Sequence, residues 1–127
     1  MSDYVLDASA LLALLNLENG ADLVQDVLPH AVISTVNLAE VVTRLSAIGM
    51  PEDEIRETLA LLGLEAAPFD EEQAFQAGLF YSRVQSRGLS LGDRACLALA
   101  RVMSATAITA DRAWEDMDVG VAIKLIR

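Results

Sequence analysis

The chain has 127 residues, 54% of them apolar, and its nineteen acidic and nine basic residues give a net charge of −10. This length suits one domain with a buried core, and the apolar content excludes a disordered chain. The charge argues against passive nucleic-acid binding, which needs a basic surface, but not against an enzyme that approaches phosphate through metal ions. No apolar run reaches the ~18 residues of a membrane span, and no leader pattern opens the chain. We therefore expect a single domain over residues 1–127, located in the cytoplasm without a membrane partner.

The first half of the chain alternates short apolar strands with helices. An apolar run ending at Asp7 predicts a strand, and the Ala- and Leu-rich segment behind it predicts a helix. Pro29 stops a second helix, and Ser34 or Thr35 can cap the helix that follows the second strand. The predicted elements are strands at 4–7 and 31–34 and helices at 8–16, 21–28, 35–48 and 51–63.

The second half continues this alternation. Asp70 is placed to cap a long helix through about Ser86, and Asp93 is placed to start the next helix. Because strands alternate with helices, we expect a parallel sheet covered by helices on both faces. The predicted elements are strands at 64–69, 106–109 and 119–126, helices at 70–86 and 93–103, a loop at 87–92 and a helical turn at 112–115.

Four isolated acids lie at the edges of apolar segments: Asp7, Glu40, Asp93 and Asp111. In parallel sheets with covering helices, ligands bind beyond the carboxyl ends of the strands. Asp7 and Asp111 follow the first and fourth strands, while Glu40 and Asp93 lie near the starts of helices that begin at the same edge. Carboxylates that meet there would repel, at roughly 4 kcal/mol per pair for a 4 Å separation and an effective dielectric near 20. Such a cluster takes up protons or binds a divalent cation.

Each acid also has a purely structural explanation. Asp7 and Asp93 can serve as helix caps, and Asp111 suits the turn after a strand. Glu40 lies off the apolar seam of its helix, where it could pair with Arg44 one turn further on. The functional interpretation therefore depends on the four acids acting together.

Other features carry less weight. Asp116 and Asp118 lie close behind Asp111, in what reads as an ordinary loop. Because of this proximity, the fourth acid of the cluster is either Asp111 or Asp116. Trp114 is expected to pack, and Cys96, the single cysteine, to be a small core residue. Neither a glycine-rich phosphate loop nor a Cys/His zinc spacing occurs in the sequence.

Four segments, in this order and at this spacing, resemble a PIN domain and, more narrowly, the VapC toxin ribonucleases of bacterial toxin–antitoxin pairs. The likeness spans nearly the whole chain, although each motif alone is weakly specific. The segments are Val5-Leu-Asp7-Ala-Ser9-Ala-Leu-Leu-Ala-Leu, Asn37-Leu-Ala-Glu40-Val, Leu89-Ser-Leu-Gly-Asp93-Arg-Ala-Cys-Leu-Ala-Leu-Ala and Thr106-Ala-Ile-Thr109-Ala-Asp111-Arg-Ala-Trp114.

The resemblance implies a three-layer α/β/α sandwich with a central, mainly parallel five-stranded sheet, and an endoribonuclease that depends on Mg²⁺ or Mn²⁺. It also implies a homodimer and a VapB-type antitoxin that lays an apolar segment along toxin helices and sends a basic side chain into the acidic site. The apolar surplus and negative charge of the chain suit such a partner. Four acids match the family's catalytic and metal-binding quartet and two hydroxyl residues match positions beside it: Asp7, Glu40, Asp93 and Asp111, with Ser9 and Thr109.

These residues predict hydrolysis of RNA phosphodiester bonds with one or two metal ions. Arg94 or Arg112 either contacts a substrate phosphate or only balances the charge of its acidic neighbour. Two alternatives are another metal-dependent phosphohydrolase and a catalytically silent PIN-like interaction module. An aspartyl phosphatase fits poorly because it needs a second acid two residues after Asp7 and a nearby lysine, whereas Ser9 stands there and Lys124 is the only lysine.

Overall fold

The computed structural model describes residues 3–84 and 87–127, and its elements follow the predicted order. Within this part of the chain, no helix is both long enough and apolar enough to cross a bilayer. Short 3₁₀ turns lie at Leu28–His30 and Arg112–Trp114. The strands are β1 Tyr4–Leu6, β2 Ala31–Ser34, β3 Glu65–Ala67, β4 Thr106–Thr109 and β5 Ile123–Leu125, and the helices are α1 Ala8–Leu15, α2 Ala21–Val27, α3 Thr35–Ala47, α4 Glu52–Leu61, α5 Glu71–Val84 and α6 Leu91–Met103.

The five strands form one sheet in the order β3-β2-β1-β4-β5. Every neighbouring pair is parallel, and Tyr4 of β1 is in register with Ala31 of β2 and Thr106 of β4. The predicted parallel five-stranded sheet is therefore confirmed. Because β1 lies between β2 and β4, the carboxyl ends of these three strands are adjacent at one edge of the sheet.

Successive residues of the central strands face opposite sides of the sheet, as the pleat requires. Val5, Val32 and Ala107 pack against α5 and α6 in one hydrophobic cluster. The next residue of each strand faces the other way, where Leu6 packs with α1 and α2 and Ile33 packs with α1, α3 and α4. Both faces of the sheet are thus covered, as the near-continuous apolar composition of β1 and β2 predicts for a buried parallel sheet.

The start of α6 differs from the prediction. The helix begins at Leu91, and Ser90 rather than Asp93 is its N-cap. Asp93 occupies the third helical position, where its carboxylate accepts a hydrogen bond from the Ser90 N–H at 2.9 Å while the Ser90 hydroxyl accepts one from the Asp93 N–H. This reciprocal capping box satisfies two free donors at once, so the helix starts two residues earlier than Asp93.

Two predicted strands are shorter in the structure. The strand expected at 119–126 is reduced to Ile123–Leu125, because Gly120 with φ 71° turns the chain before it. The strand expected at 64–69 is reduced to Glu65–Ala67, since Pro68 has no N–H to continue the ladder. The predicted end of α5 at Ser86 lies outside the described residues.

Candidate active site

A cavity of about 600 Å³ opens at the carboxyl edge of the sheet, beside α1, α3 and the first turn of α6. All four predicted acids line it, although they come from four separate segments of the chain. The structure thus places the four acids around one cavity, and their catalytic and metal-binding roles stay a prediction. The lining residues are Asp7, Ala8, Ser9, Leu12, Val36, Ala39, Glu40, Thr43, Arg44, Asp93 and Asp111.

Asp7 is the most deeply placed of these acids, with 3% of its surface exposed. It is both the N-cap of α1 and a member of the cavity: its Oδ1 accepts hydrogen bonds from the Ala10 N–H at 2.8 Å and the Ser9 hydroxyl at 2.7 Å. Its Oδ2 accepts a hydrogen bond from the Thr109 hydroxyl at 2.5 Å. Burial raises the pKa of Asp7 to about 6, against the lowering effect of these hydrogen bonds, and the charge of Asp93 adds to the rise.

Two hydroxyl groups connect the end of β4 to the start of α1. The Ser9 hydroxyl oxygen accepts a hydrogen bond from the Ala110 N–H at 2.9 Å, and the Thr109 hydroxyl oxygen accepts one from the Asp111 N–H at 3.0 Å. Each hydroxyl then donates its own proton to Asp7. The two predicted hydroxyl positions thus fix the orientation of the Asp7 carboxylate.

Glu40 projects from the second turn of α3 and is half-buried. Its Oε1 accepts a hydrogen bond from the Asn37 side-chain amide at 2.9 Å, and the same amide nitrogen donates to the Gly92 carbonyl at 3.0 Å. A Cβ added at Gly92 would lie 2.6 Å from the Glu40 Cδ and would overlap the carboxylate. The sequence-based alternative, an ion pair between Glu40 and Arg44, is not among the ion pairs of the described residues.

Asp93 lies half-buried in the first turn of α6. Burial raises its pKa, the hydrogen bonds from Ser90 lower it, and the charge of Asp111 raises it further. Cys96 is fully buried one turn further along, as predicted for a core residue, and burial together with the nearby acids raises the pKa of its thiol far above the usual value. Negative charges are therefore concentrated at this edge of the sheet.

Asp111 is exposed and caps the 3₁₀ turn that follows β4, accepting a hydrogen bond from the Ala113 N–H at 2.9 Å. Asp116, the alternative fourth acid, lines a different cavity together with Trp114 and Lys124. Trp114 is fully buried, as expected. The placement of the two acids favours Asp111 as the member of the acidic cluster.

The two arginines proposed to contact substrate do not line the acidic cavity. Arg94 donates to the Ala77 carbonyl at 2.9 Å, and its guanidinium lies 5.4 Å from the centre of the Tyr81 ring, so it joins α6 to α5. Arg112 is exposed and lies 3.9 Å from the Glu115 carboxylate. Among the described residues that line the cavity, Arg44 is the one basic residue.

Three residues of the site were not assigned a functional role from the sequence: Asn37, Gly92 and Arg44. Each left a weak signal. Asn37 is an amide three residues before Glu40, which puts both side chains on one face of the helix. Gly92 is a glycine in the first turn of a helix, a costly position for a residue of low helix propensity. Arg44 lies one turn after Glu40, where the sequence suggested only a surface ion pair.

The donor set of the cavity fits a hard divalent cation. Apart from Arg44, its polar lining groups are carboxylates and hydroxyls, the oxygen ligands that Mg²⁺ and Mn²⁺ prefer. Burial is the main cause of the raised pKa values of Asp7 and Asp93, and the charge of a neighbouring acid adds to each rise. In residues 3–84 and 87–127, no group of three or more Asp, Glu, His or Cys side chains has an arrangement that could hold a metal ion. An open cavity is compatible with Mg²⁺, which keeps several waters and needs only one or two carboxylates.

The fold and the cavity define an α/β protein with an acidic site at the carboxyl edge of a parallel sheet. The chain belongs to the PIN domain family, whose sequence profile matches residues 4–120. No curated protein sequence matches the chain.

Solved structures of toxin–antitoxin complexes share this fold over nearly the full length of both chains. A chain of DNA-bound VapBC from Salmonella typhimurium matches with a TM-score of 0.78 at 17% identity, covering 100% of each chain. A toxin–antitoxin complex from Klebsiella pneumoniae matches with a TM-score of 0.76 at 19% identity over 98% of each chain. VapBC-1 from nontypeable Haemophilus influenzae matches with a TM-score of 0.74 at 18% identity over 97% of each chain. The resemblance noted in the sequence is therefore confirmed for the fold.

Proposed function

We propose that this chain is the toxin of a VapBC-type pair and an Mg²⁺- or Mn²⁺-dependent endoribonuclease. The observation that carries the proposal is the lining of one cavity by four acids from separate segments, among which Asp7 is buried and has a raised pKa. Burying a carboxylate next to other carboxylates destabilises a fold. A bound cation offsets that cost, so an acidic cavity of this kind is more consistent with function than with stability.

The proposed roles follow from the position of each side chain. Asp7 and Asp93 would hold the metal directly, and Glu40 and Asp111 would act through water or through a second ion. A divalent ion held there would acidify water and offset negative charge on the scissile phosphate. Ser9 and Thr109 keep both Asp7 oxygens in fixed directions through the hydrogen bonds described above.

Arg44 is the best-placed residue for contact with a substrate phosphate. It is exposed at the wall of the acidic cavity, one turn beyond Glu40, and its guanidinium is not held by an ion pair among the described residues. A guanidinium can bind two phosphate oxygens at once. Arg94 and Arg112 remain candidates for the same role, but they lie outside the lining of the cavity.

A second groove supports the proposed antitoxin partner. It has a volume of about 670 Å³, lies between α3 and α4, and is lined largely by apolar side chains that include Leu38, Val42, Ile55 and Leu59. A neighbouring flank of α3 lines the acidic cavity through Ala39 and other residues. An apolar antitoxin segment in this groove could therefore extend a basic side chain into the acidic cavity, where the net charge of −10 favours it.

Two further proposals concern assembly and cellular location. Exposed apolar side chains on α5 and α6, among them Phe75, Leu79 and Val102, offer a surface for the homodimer implied by the resemblance. The cytoplasmic location stays a prediction from the sequence.

Incubation of the purified chain with total RNA tests the proposed activity. We expect cleavage in Mg²⁺ or Mn²⁺ and none in EDTA, and mapping of the RNA ends would locate the sites. Asp7→Asn should abolish cleavage, because the amide carries no charge. It should keep the fold, because its one acceptor oxygen can still accept the hydrogen bond from the Ala10 N–H. Asp26→Asn is the matched control, since Asp26 is an exposed acid on α2 outside the cavity.

RNA cleavage, measured together with a calorimetric Mn²⁺ titration, separates the alternatives. Metal binding without RNA cleavage would favour another phosphohydrolase. A chain that binds no Mn²⁺ in a calorimetric titration would instead be a catalytically silent interaction module. Metal-dependent cleavage retained by Asp7→Asn would remove Asp7 from the site.

A further inference from the structure

We infer that Asn37 is a positioning residue that holds the Glu40 carboxylate at the acidic cavity and anchors it to the first turn of α6. This inference rests on the proposed function, because it assigns Asn37 a role in metal binding at the same site. Asn37 does not line the cavity itself. It acts through Glu40, to which it is joined by a hydrogen bond.

The orientation of the Asn37 side chain follows from the groups around it. The side chain is 1% exposed, and its Nδ2 donates to two acceptors, the Glu40 carboxylate at 2.9 Å and the Gly92 carbonyl at 3.0 Å. Both acceptors are oxygens without a hydrogen to give. A reversed amide would direct Oδ1 at both of them, so the donor group must face Glu40 and Gly92.

Stability alone does not account for an asparagine here. Its Oδ1 is buried and has no hydrogen-bond partner among the described residues, which costs free energy of folding. Asn37 also occupies a buried position of α3, a helix whose other buried residues are Val41 and Leu45. An apolar side chain would avoid the unpaired oxygen. The retained amide is therefore best explained by the donor it directs at Glu40.

Glu40 depends on this donor for its orientation. Among the side-chain hydrogen bonds of the described residues, the one from Asn37 is the only one that Glu40 accepts. The space beside its carboxylate is bounded by Gly92, where a side chain would overlap it. Asn37 contacts both groups, and so it fixes the distance between α3 and α6 as well as the direction of the carboxylate. Partners of this kind, behind a metal ligand, commonly change metal affinity or activity by about 10–100-fold when they are removed.

Mn²⁺ binding by the full chain, followed by electron paramagnetic resonance, tests this role without relying on activity. We expect Asn37→Ala to weaken Mn²⁺ binding by about 10-fold or more. The control is Val41→Ala, which leaves a cavity in the same helix and lowers the melting temperature but keeps the hydrogen bond from Asn37 to Glu40. Val41→Ala should keep the wild-type affinity. If Asn37→Ala does not fold, Asn37→Ser serves instead, because its shorter side chain keeps a polar group but cannot span to both acceptors.

A double-mutant cycle with Glu40→Gln separates positioning from general destabilisation. If Asn37 acts through Glu40, then Asn37→Ala should have little further effect on Mn²⁺ affinity in the Glu40→Gln background. An equal loss of affinity in both backgrounds, or wild-type affinity in Asn37→Ala, would overturn the inference. The proposed function fails separately, and the inference with it, if the wild-type chain binds no Mn²⁺. If the wild-type chain binds Mn²⁺ with an affinity that Asp7→Asn lowers and Asn37→Ala leaves unchanged, that result would overturn only the role of Asn37.

Discussion

The carboxylate of Glu40 occupies the space in which a side chain at Gly92 would begin. The first turn of α6 can therefore approach α3 only because position 92 has no Cβ. Gly92→Ala should displace Glu40, destabilise the fold by about 1–3 kcal/mol through overpacking, and weaken Mn²⁺ binding. Thermal unfolding and a Mn²⁺ titration measure the two effects.

Gly78→Ala is a matched control for this substitution. Gly78 is an exposed residue of α5, and a Cβ there meets nothing within 4 Å. Because alanine is the better helix former, Gly78→Ala should be neutral or stabilising by up to ~1 kcal/mol. A Gly92→Ala variant that behaves like Gly78→Ala would show that the contact with Glu40 is not required.

The raised pKa of Asp7 predicts how stability depends on pH in the absence of metal. The folded state binds the Asp7 proton up to a pKa of about 6, whereas the unfolded chain releases it near the ordinary aspartate pKa of 3.8. The folded state thus binds more protons between these values, and the free energy of unfolding falls as the pH rises through this window. The rise of the Asp7 pKa from 3.8 to about 6 corresponds to about 3 kcal/mol of unfolding free energy lost by pH 7.

Asp7→Asn isolates this contribution because it cannot titrate. In EDTA, the difference in the free energy of unfolding between Asp7→Asn and the wild-type chain should grow in favour of the variant from pH 4 to pH 7. Urea unfolding at several pH values measures it. A constant difference over this range would mean that the pKa of Asp7 is not raised by folding.

The identity of the fourth acid can be tested by comparing Asp111→Asn with Asp116→Asn. Asp111 lines the acidic cavity, whereas Asp116 lies on a separate one. We expect Asp111→Asn to lower RNA cleavage by at least ~10-fold and Asp116→Asn to leave it near the wild-type rate. Cleavage at saturating Mg²⁺ gives the comparison, and the opposite ranking would assign the role to Asp116.

The proposed phosphate contact of Arg44 predicts an effect on substrate binding. Arg44→Ala should raise KM for a short RNA several-fold with a smaller change in kcat, because a charged contact to a phosphate away from the scissile bond binds ground and transition states alike. Arg83→Ala, which removes an exposed arginine at the end of α5, is the control. Equal KM values for the two variants would exclude Arg44 from substrate binding.

The apolar groove predicts a variant that separates antitoxin binding from catalysis. Val42 lines this groove and is 36% exposed, so Val42→Asp should leave the fold and RNA cleavage intact while weakening binding of an apolar antitoxin segment by at least ~10-fold. Co-purification with a co-expressed VapB-type antitoxin measures binding. Leu17→Asp is the control, because Leu17 is 84% exposed and lies outside the groove. Undiminished capture by Val42→Asp would place the partner elsewhere.

Several local features of the site could be predicted from the sequence because they depend on near neighbours. Asp7 follows an apolar strand and precedes an Ala/Leu helix, so its place at the sheet edge is encoded by its neighbours in the sequence. The start of α6 shows how local signals compete: both Ser90 and Asp93 are good capping residues, and the helix uses the two reciprocally. The edge strands β3 and β5 are shorter than predicted. Pro68 ends β3, and the turn at Gly120 delays the start of β5.

By itself, the sequence determined the alternating strands and helices, and with them the edge at which Asp7, Glu40, Asp93 and Asp111 meet. That follows because parallel strands all end at the same edge of a sheet. Tertiary structure alone decided which neighbours orient those acids and where the arginines point. Asn37 and Gly92 meet across 55 positions of chain, and Arg94 turns to a carbonyl of α5 rather than to the cavity. Such contacts depend on how closely two helices approach, and no local pattern of residues encodes that distance.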